Sequence, residues 1–304
     1  MDTTPSYIGT SGWSYPTGNG KWRGIVYPPR WHGDELAYYS ERFPAVEVNS
    51  SFYRVPSPAV VSDWAARTPA HFRFAVKLFQ KFTHPALYAR TTGASPEVCA
   101  DDVAAMRRAL DPLAACGKLV AVLAQYPESF LQTVANRAVL MRTLDAFAAY
   151  PLALELRHPS WDTHTTAEIC AHFHAARVRL DAPCYQNLRT PLPATGPLEY
   201  WRFHGRNAQA WRQANAGNAR YDYHYSAPEL DALAEAMLQR RCANTRRLIF
   251  FNNHLRGQAV ANALSLAARL ELPLPYEKFS HLASQYPELR PLTGEPGGQL
   301  ALPG

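Results

Sequence analysis

Seven ionisable residues stand at or near the ends of short apolar runs: Glu47, Lys77, Glu155, Arg157, Asp181, Arg202 and His204. Together they suit metal-free acid–base chemistry on an anionic substrate. An unperturbed histidine titrates near neutrality, so His204 is the expected proton carrier, with Glu155 or Asp181 orienting it or serving as partner base. Arg157 and Arg202 suit two-point capture of a phosphate or carboxylate. Lys77 is a candidate nucleophile, able to form a Schiff base when desolvated or held beside another cation. The plainer reading pairs its ammonium with Glu47 or Glu155. Asn49, Gln125 and Asn252 add ligand-binding amides at strand ends, and Trp13, Tyr15, Trp22 and Tyr53 can cover an apolar face such as a sugar or a base.

Other chemistries fit less well. Glu155, Asp181 and His204 can hold a divalent metal in a phosphodiesterase- or endonuclease-like hydrolase, but Lys77, Arg157 and Arg202 would repel the cation. No metal and no cofactor is therefore expected. Glycoside hydrolysis needs two carboxylates at a set separation, and two of the relevant strands end instead in Gln125 and His204. A non-catalytic module for metabolites or single-stranded nucleic acid would use the same aromatics and arginines. The bland alternative is an internal ion-pair network with no ligand at all.

These residues need elements to position them. Eight runs of strand length, rich in Val, Phe, Tyr and Leu, lie at 6–13, 45–53, 72–79, 118–126, 151–158, 177–183, 199–205 and 247–253. Helical spacing fills 95–115, 133–150, 165–177, 226–241 and 257–270, with a capping-box pair at Ser226 and Glu229. Strands alternating with helices imply parallel βα units, and eight of them in 304 residues imply a single-domain (β/α)8 TIM-type barrel over residues 1–270. Residues 271–304 read as a partly irregular C-terminal extension, loosest in the Pro/Gly-rich stretch from 286 onward. An open dinucleotide-binding sheet is disfavoured, because Gly18-Asn19-Gly20-Lys21-Trp22-Arg23 fails both the G-x-G-x-x-G and the P-loop patterns.

Ligand sites of such barrels lie where the strands end, and side chains alternate between the two faces. That alternation places Glu47, Asn49, Ser51 and Tyr53 together, Glu155 with Arg157, Arg179 with Asp181, and Arg202 with His204. The segment "SYPTGNGKWRGIVYPP" then becomes the first βα loop, a lid or wall over Arg157 and His204.

Composition sets the outer bounds. Hydrophobic residues make up 47% and charged residues 18%, as in a globular chain. The net charge of +6 permits an acidic ligand but comes without a Lys/Arg block. Five cysteines, none in C-x-x-C spacing, and the lack of a membrane-length apolar run point to a cytoplasmic protein with no membrane partner.

Taken as an ordered set, several motifs resemble the domain of unknown function 72 family. They are "IGTSGWSYP" (8–16), "EVNSSFYRVPS" (47–57), "FRFAVK" (72–77), "LAQYPESF" (123–130), "ELRHPSW" (155–161), "RFHGR" (202–206), "YDYHYS" (221–226) and "FFNNHLRGQAVANAL" (250–264). The resemblance implies a (β/α)8-like barrel and brings no assigned reaction. The spacing from Tyr15 to Trp22 is longer here than the usual short Tyr-x-x-Trp.

Overall fold

Ten strands form from the apolar runs: β1 (Ser6–Ser11), β2 (Ala45–Val48), β3 (Arg73–Lys77), β4 (Leu119–Gln125), β5 (Leu152–Glu155), β6 (Ala176–Arg177), β7 (Arg179–Ala182), β8 (Tyr185–Gln186), β9 (Leu198–Phe203) and β10 (Arg246–Phe251). The structure is a computed structural model that describes residues 5–18, 20–183, 185–188, 196, 198–213, 217–240 and 245–294. All eight expected runs contain strand. The sixth is split by Val178 into β6 and β7, and β8 adds a short antiparallel return on β7. The loop expected at 186–197 lies mostly outside the described residues.

The strands make one curled, mostly parallel sheet in the order β6-β5-β4-β3-β2-β1-β10-β9-β7-β8, with helices packed on it. β6 pairs with β5 and β7 pairs with β9, so the two flanks of the order are reached by adjacent segments of chain. Val178 lies between them and donates its N–H to Leu154 O at 3.0 Å.

Two apolar clusters explain the alternation of side chains. One joins the sheet to the helices and includes Val46, Val48, Phe74, Val76, Val122, Leu154, Trp201 and Phe203. The other is built from strand residues and from Val178 between β6 and β7, and fills the concave face: Ala45, Ala75, Leu123, Ala153, Ala176, Val178, Tyr200, Leu248 and Phe250. Glu47, Lys77, Gln125, Glu155, Arg202 and Asn252 continue the parity of this second set toward the strand ends.

The helices keep the expected order, with bodies at Ala100–Ala115, Val134–Ala146, His164–His172, Ala227–Leu238 and Gln258–Arg269. The Ser226–Glu229 capping box is formed, with Ser226 N–H donating to Glu229 Oε2 at 2.8 Å. Residues 286–294 are docked rather than loose. Leu289 is fully buried, and Tyr286 OH donates to Arg256 O at 2.8 Å.

Candidate functional site

A cleft of about 530 Å³ opens where the strands end. Its floor is a chain of charges. Glu47, at the end of β2, accepts from Arg202 twice, Nε to Oε2 at 2.9 Å and Nη2 to Oε1 at 2.7 Å. Ser11 Oγ and Tyr200 OH also donate to it, at 2.7 and 2.6 Å. The remaining nitrogen of Arg202, Nη1, reaches Glu155 Oε2, and Arg157 Nε holds Glu155 Oε1 at 2.6 Å. Glu47, Glu155 and Arg202 are at most 1% exposed. A buried pair of this kind needs all its hydrogen bonds, and it has them. Burial pushes the Glu155 carboxyl up, but the Arg202 and Arg157 guanidiniums outweigh it and hold it well below the usual carboxylate range.

His204 departs from the expectation of a proton carrier titrating near neutrality. Burial, with Arg202 and Arg157 next, holds its pKa well below the ordinary histidine value. Its hydrogen bonds fix a single neutral tautomer. Arg157 Nη2, which can only donate, lies 3.2 Å from Nε2, so Nε2 is the bare nitrogen. Nδ1 then carries the hydrogen and faces the Asn252 side-chain amide at 3.0 Å. That amide must present its oxygen rather than its NH₂ group to the ring. His204 thus steadies Arg157 from one side while Glu155 steadies it from the other.

Lys77 departs from its plainer reading. Among the described residues its ammonium makes no ion pair with a carboxylate. It donates instead to Gln125 Oε1 at 2.7 Å, and it lies 3.9 Å from the centroid of the Phe52 ring. Gln125 Nε2 donates to Tyr126 O at 2.7 Å, which leaves the amide oxygen facing the lysine. Burial first, then the charges of Arg202 and Arg157, pull the Lys77 pKa down to about 7.

The aromatic loop divides its work. Trp13 and Tyr15 line the cleft, and Tyr15 stacks on His254 with centroids 4.2 Å apart. Gly12 makes this possible: at φ +95° it takes a left-handed turn, and a Cβ there would meet Tyr15 OH at 2.9 Å. Trp22, expected as a ligand contact, is fully buried and donates its Nε1–H to His254 O at 2.7 Å. It anchors the loop and does not line the cleft.

Asp181 also departs from its expected place. β6 and β7 turn their apolar residues, Ala176, Val178, Leu180 and Ala182, to the opposite side from Arg177, Arg179 and Asp181. The Asp181 carboxylate is therefore taken by Arg206, at 2.8 Å, which also binds Glu229 on an outer helix at 2.9 Å. Asp181 does not line the cleft, so the trio Glu155, Asp181 and His204 does not converge on a metal position. Among the described residues, no group of three His, Cys, Asp or Glu side chains is placed to hold one.

Asn49, Gln125, Asn252, Arg157, Arg202 and Tyr53 all reach the cleft. β2 stops at Val48, and Ser50–Tyr53 coils into a helical turn, so Asn49 and Tyr53 arrive by the turn and not by strand alternation. Ser51 Oγ ties that turn to β3 by donating to Lys77 O at 2.6 Å. Asn49 Oδ1 is buried without a hydrogen-bond partner among the described residues. Contributors that went unmarked in the sequence include Tyr200 and His254, while Tyr221 comes from the aromatic stretch 221–226. Tyr200 was within reach, since it shares the parity of Arg202 and His204. The other two come from loops, where no periodicity exists to find them.

Fold and site together define a class: an α/β protein whose curled parallel sheet carries an arginine- and lysine-lined polar cleft at its strand ends. The family described as "Protein of unknown function DUF72" matches residues 7–283, and the chain belongs to it. The UPF0759 protein YunF of Bacillus subtilis is 29% identical over 281 residues, covering 88% of this chain and 95% of that protein. A crystal structure of a DUF72 family protein from Thermotoga maritima is 32% identical with a TM-score of 0.69, over 88% of this chain and 99% of that one. One from Enterococcus faecalis is 27% identical with a TM-score of 0.73, over 88% and 96%. No described helix is long and apolar enough to cross a membrane.

Proposed function

We propose that the protein binds a small anionic ligand in this cleft, phosphorylated or carboxylated and sugar- or nucleotide-like, and acts on it by acid–base chemistry. One observation carries the reading: the carboxylates are already engaged. All four oxygens of Glu47 and Glu155 accept hydrogen bonds from Ser11, Tyr200, Arg202 and Arg157. The side chains left to meet a ligand are cationic or neutral: Lys77, the free edge of Arg157, and the amides of Asn49 and Asn252. Carboxylates held in this way are poorly disposed to serve a glycosidase or to ligate a metal. In this reading Arg157 meets the anionic group and Lys77 takes or gives the proton. Glu155, Arg202 and His204 position them, and Trp13, Tyr15 and Tyr53 cover an apolar face.

The same reading treats β6 and β7 as one interrupted strand through which the sheet closes as a (β/α)8 barrel, with the cleft at its C-terminal mouth. Titration calorimetry with inorganic phosphate, a sugar phosphate, a nucleoside monophosphate and the matching uncharged sugar and nucleoside tests it. The anions are expected to bind and the neutral compounds not to. Equal affinity for charged and uncharged partners would overturn it.

A further inference from the structure

We infer that Lys77 is a nucleophilic amine, and that the ligand it acts on is an anion bearing an aldehyde or ketone carbonyl, which it captures as a Schiff base. This rests on the anionic-ligand reading above and adds the carbonyl to it. The geometry carries the argument. A lysine that serves structure is ordinarily paired with a carboxylate, given a full set of oxygen acceptors or left in water. Lys81 pairs with Asp102 at 2.8 Å, and the buried Lys118 has three acceptors, Ala65 O and Thr68 O at 2.7 Å each and Thr68 Oγ1 at 3.0 Å. Lys77 has neither arrangement. It ends β3 on the concave parity, is partly buried and lines the cleft. Among the described residues its one hydrogen-bond acceptor is the neutral oxygen of Gln125, held in that orientation by its own bond to Tyr126 O.

Burial and the positive charges of Arg202 and Arg157 favour a free amine, and His84 stands near it as a neutral imidazole, its own pKa pushed down to about 3 by burial and by Lys77. The face of the Phe52 ring, Glu155 and Glu47 favour the ammonium, but the arginines engage both carboxylates. The amine so produced is half protonated near neutral pH, the condition in which a lysine attacks a carbonyl.

The step balances. The neutral amine attacks the carbonyl carbon, a C–N bond forms, and the carbonyl oxygen takes the proton that the nitrogen gives up, which yields the neutral carbinolamine. One proton from solvent then lets that oxygen leave as water while the nitrogen lone pair forms the C=N bond, and the product is an iminium cation. The net change is amine plus carbonyl plus one proton to iminium plus water. The ligand's own anionic group, held by Arg157, lies near the new cation and compensates it.

The chain has five lysines, Lys21, Lys77, Lys81, Lys118 and Lys278, so the site of an adduct can be read unambiguously. The full-length protein is incubated with sodium cyanoborohydride and dihydroxyacetone phosphate or pyruvate, then mapped by peptide mass spectrometry. Glycerol 3-phosphate and lactate, which lack the carbonyl, are titrated in parallel by calorimetry. The inference expects reduced adduct at Lys77 roughly tenfold or more above that at exposed Lys21 and Lys278. It also expects that adduct to fall when the carbonyl-free analogue is added. Lys77→Arg keeps the charge but not the nucleophilic amine, and is expected to lose the adduct while labelling of Lys21 and Lys278 stays unchanged. If the carbonyl-free anions bind and Lys77 is labelled no more than Lys21, the inference is overturned and anion binding stands. If none of the four compounds binds or reacts, both fall.

Discussion

The side-chain nitrogen of Lys77 lies 2.7 Å from Gln125 Oε1, bridging adjacent strands β3 and β4 with a neutral acceptor where a carboxylate was the obvious partner. The carboxylates that the chain does supply nearby, Glu47 and Glu155, are engaged by Arg202 and Arg157. Two carboxylates and two guanidiniums cancel, so the Lys77 proton sets the net charge of the cleft floor.

Anion binding is therefore expected to take up a proton. Lys77, pulled down to about 7, is half neutral there, and a bound anion favours its charged form. Calorimetry of phosphate binding at pH 7–8, in buffers of different ionisation enthalpy, is expected to show uptake of a fraction of one proton, absent in Lys77→Met. The same shift makes stability rise with pH between about 7 and the ordinary lysine value, because the unfolded chain binds the proton more tightly than the folded one. Lys77→Met is expected to flatten that slope in urea denaturation.

Arg157→Met should cost roughly 10- to 100-fold in anion affinity, the scale of one lost charge-assisted contact. Arg157→Lys is expected to recover little, because a lysine cannot donate to both Glu155 Oε1 and His204 Nε2 from the guanidinium's geometry. Affinity measured on both variants decides the point.

Glu47→Gln removes a charge from a pair in which both partners are at most 1% exposed. Breaking such a pair on one side is expected to destabilise the fold by about 3–5 kcal/mol. Urea midpoints would register this, and a change under about 1 kcal/mol would mean that water reaches the floor of the cleft.

His204, held well below the ordinary histidine pKa by burial and by Arg202 and Arg157, should be neutral and Nδ1-protonated where a free histidine is already half charged. Imidazole ¹⁵N NMR is the direct measurement. An imidazolium signal near pH 6 would contradict the Arg157–His204–Asn252 arrangement.

The two halves of the aromatic loop should separate under mutation. Trp22→Ala, in the core, is expected to cost about 3–5 kcal/mol of stability. Tyr53→Ala, at a side chain 72% exposed on the rim, should change stability by no more than about 0.5 kcal/mol and act on ligand affinity alone. Paired thermal melts and binding titrations distinguish the roles.

The sequence by itself determined the strands, their order along the chain and most of the polar set at their ends. Alternation has a period of two, so Glu47, Lys77, Glu155, Arg202 and His204 could be assigned to one side from their apolar neighbours. Where that rule stops applying, only the tertiary structure decided. Asp181 faces outward because the apolar residues of the opposite parity, Ala176, Val178, Leu180 and Ala182, pack into apolar clusters on the other side of the strand, and its carboxylate meets Arg206. Trp22 packs inside while Trp13 lines the cleft, a choice made by loop contacts with His254 and Trp64 that have no sequence periodicity. The pairing of charges was hidden for the same reason. Residue types name which groups are ionisable, but whether an arginine or a lysine meets a given carboxylate depends on separations of a few ångströms between strands far apart in the chain. That is why Arg202 holds Glu47 across 155 residues, and why Lys77 is left with an amide.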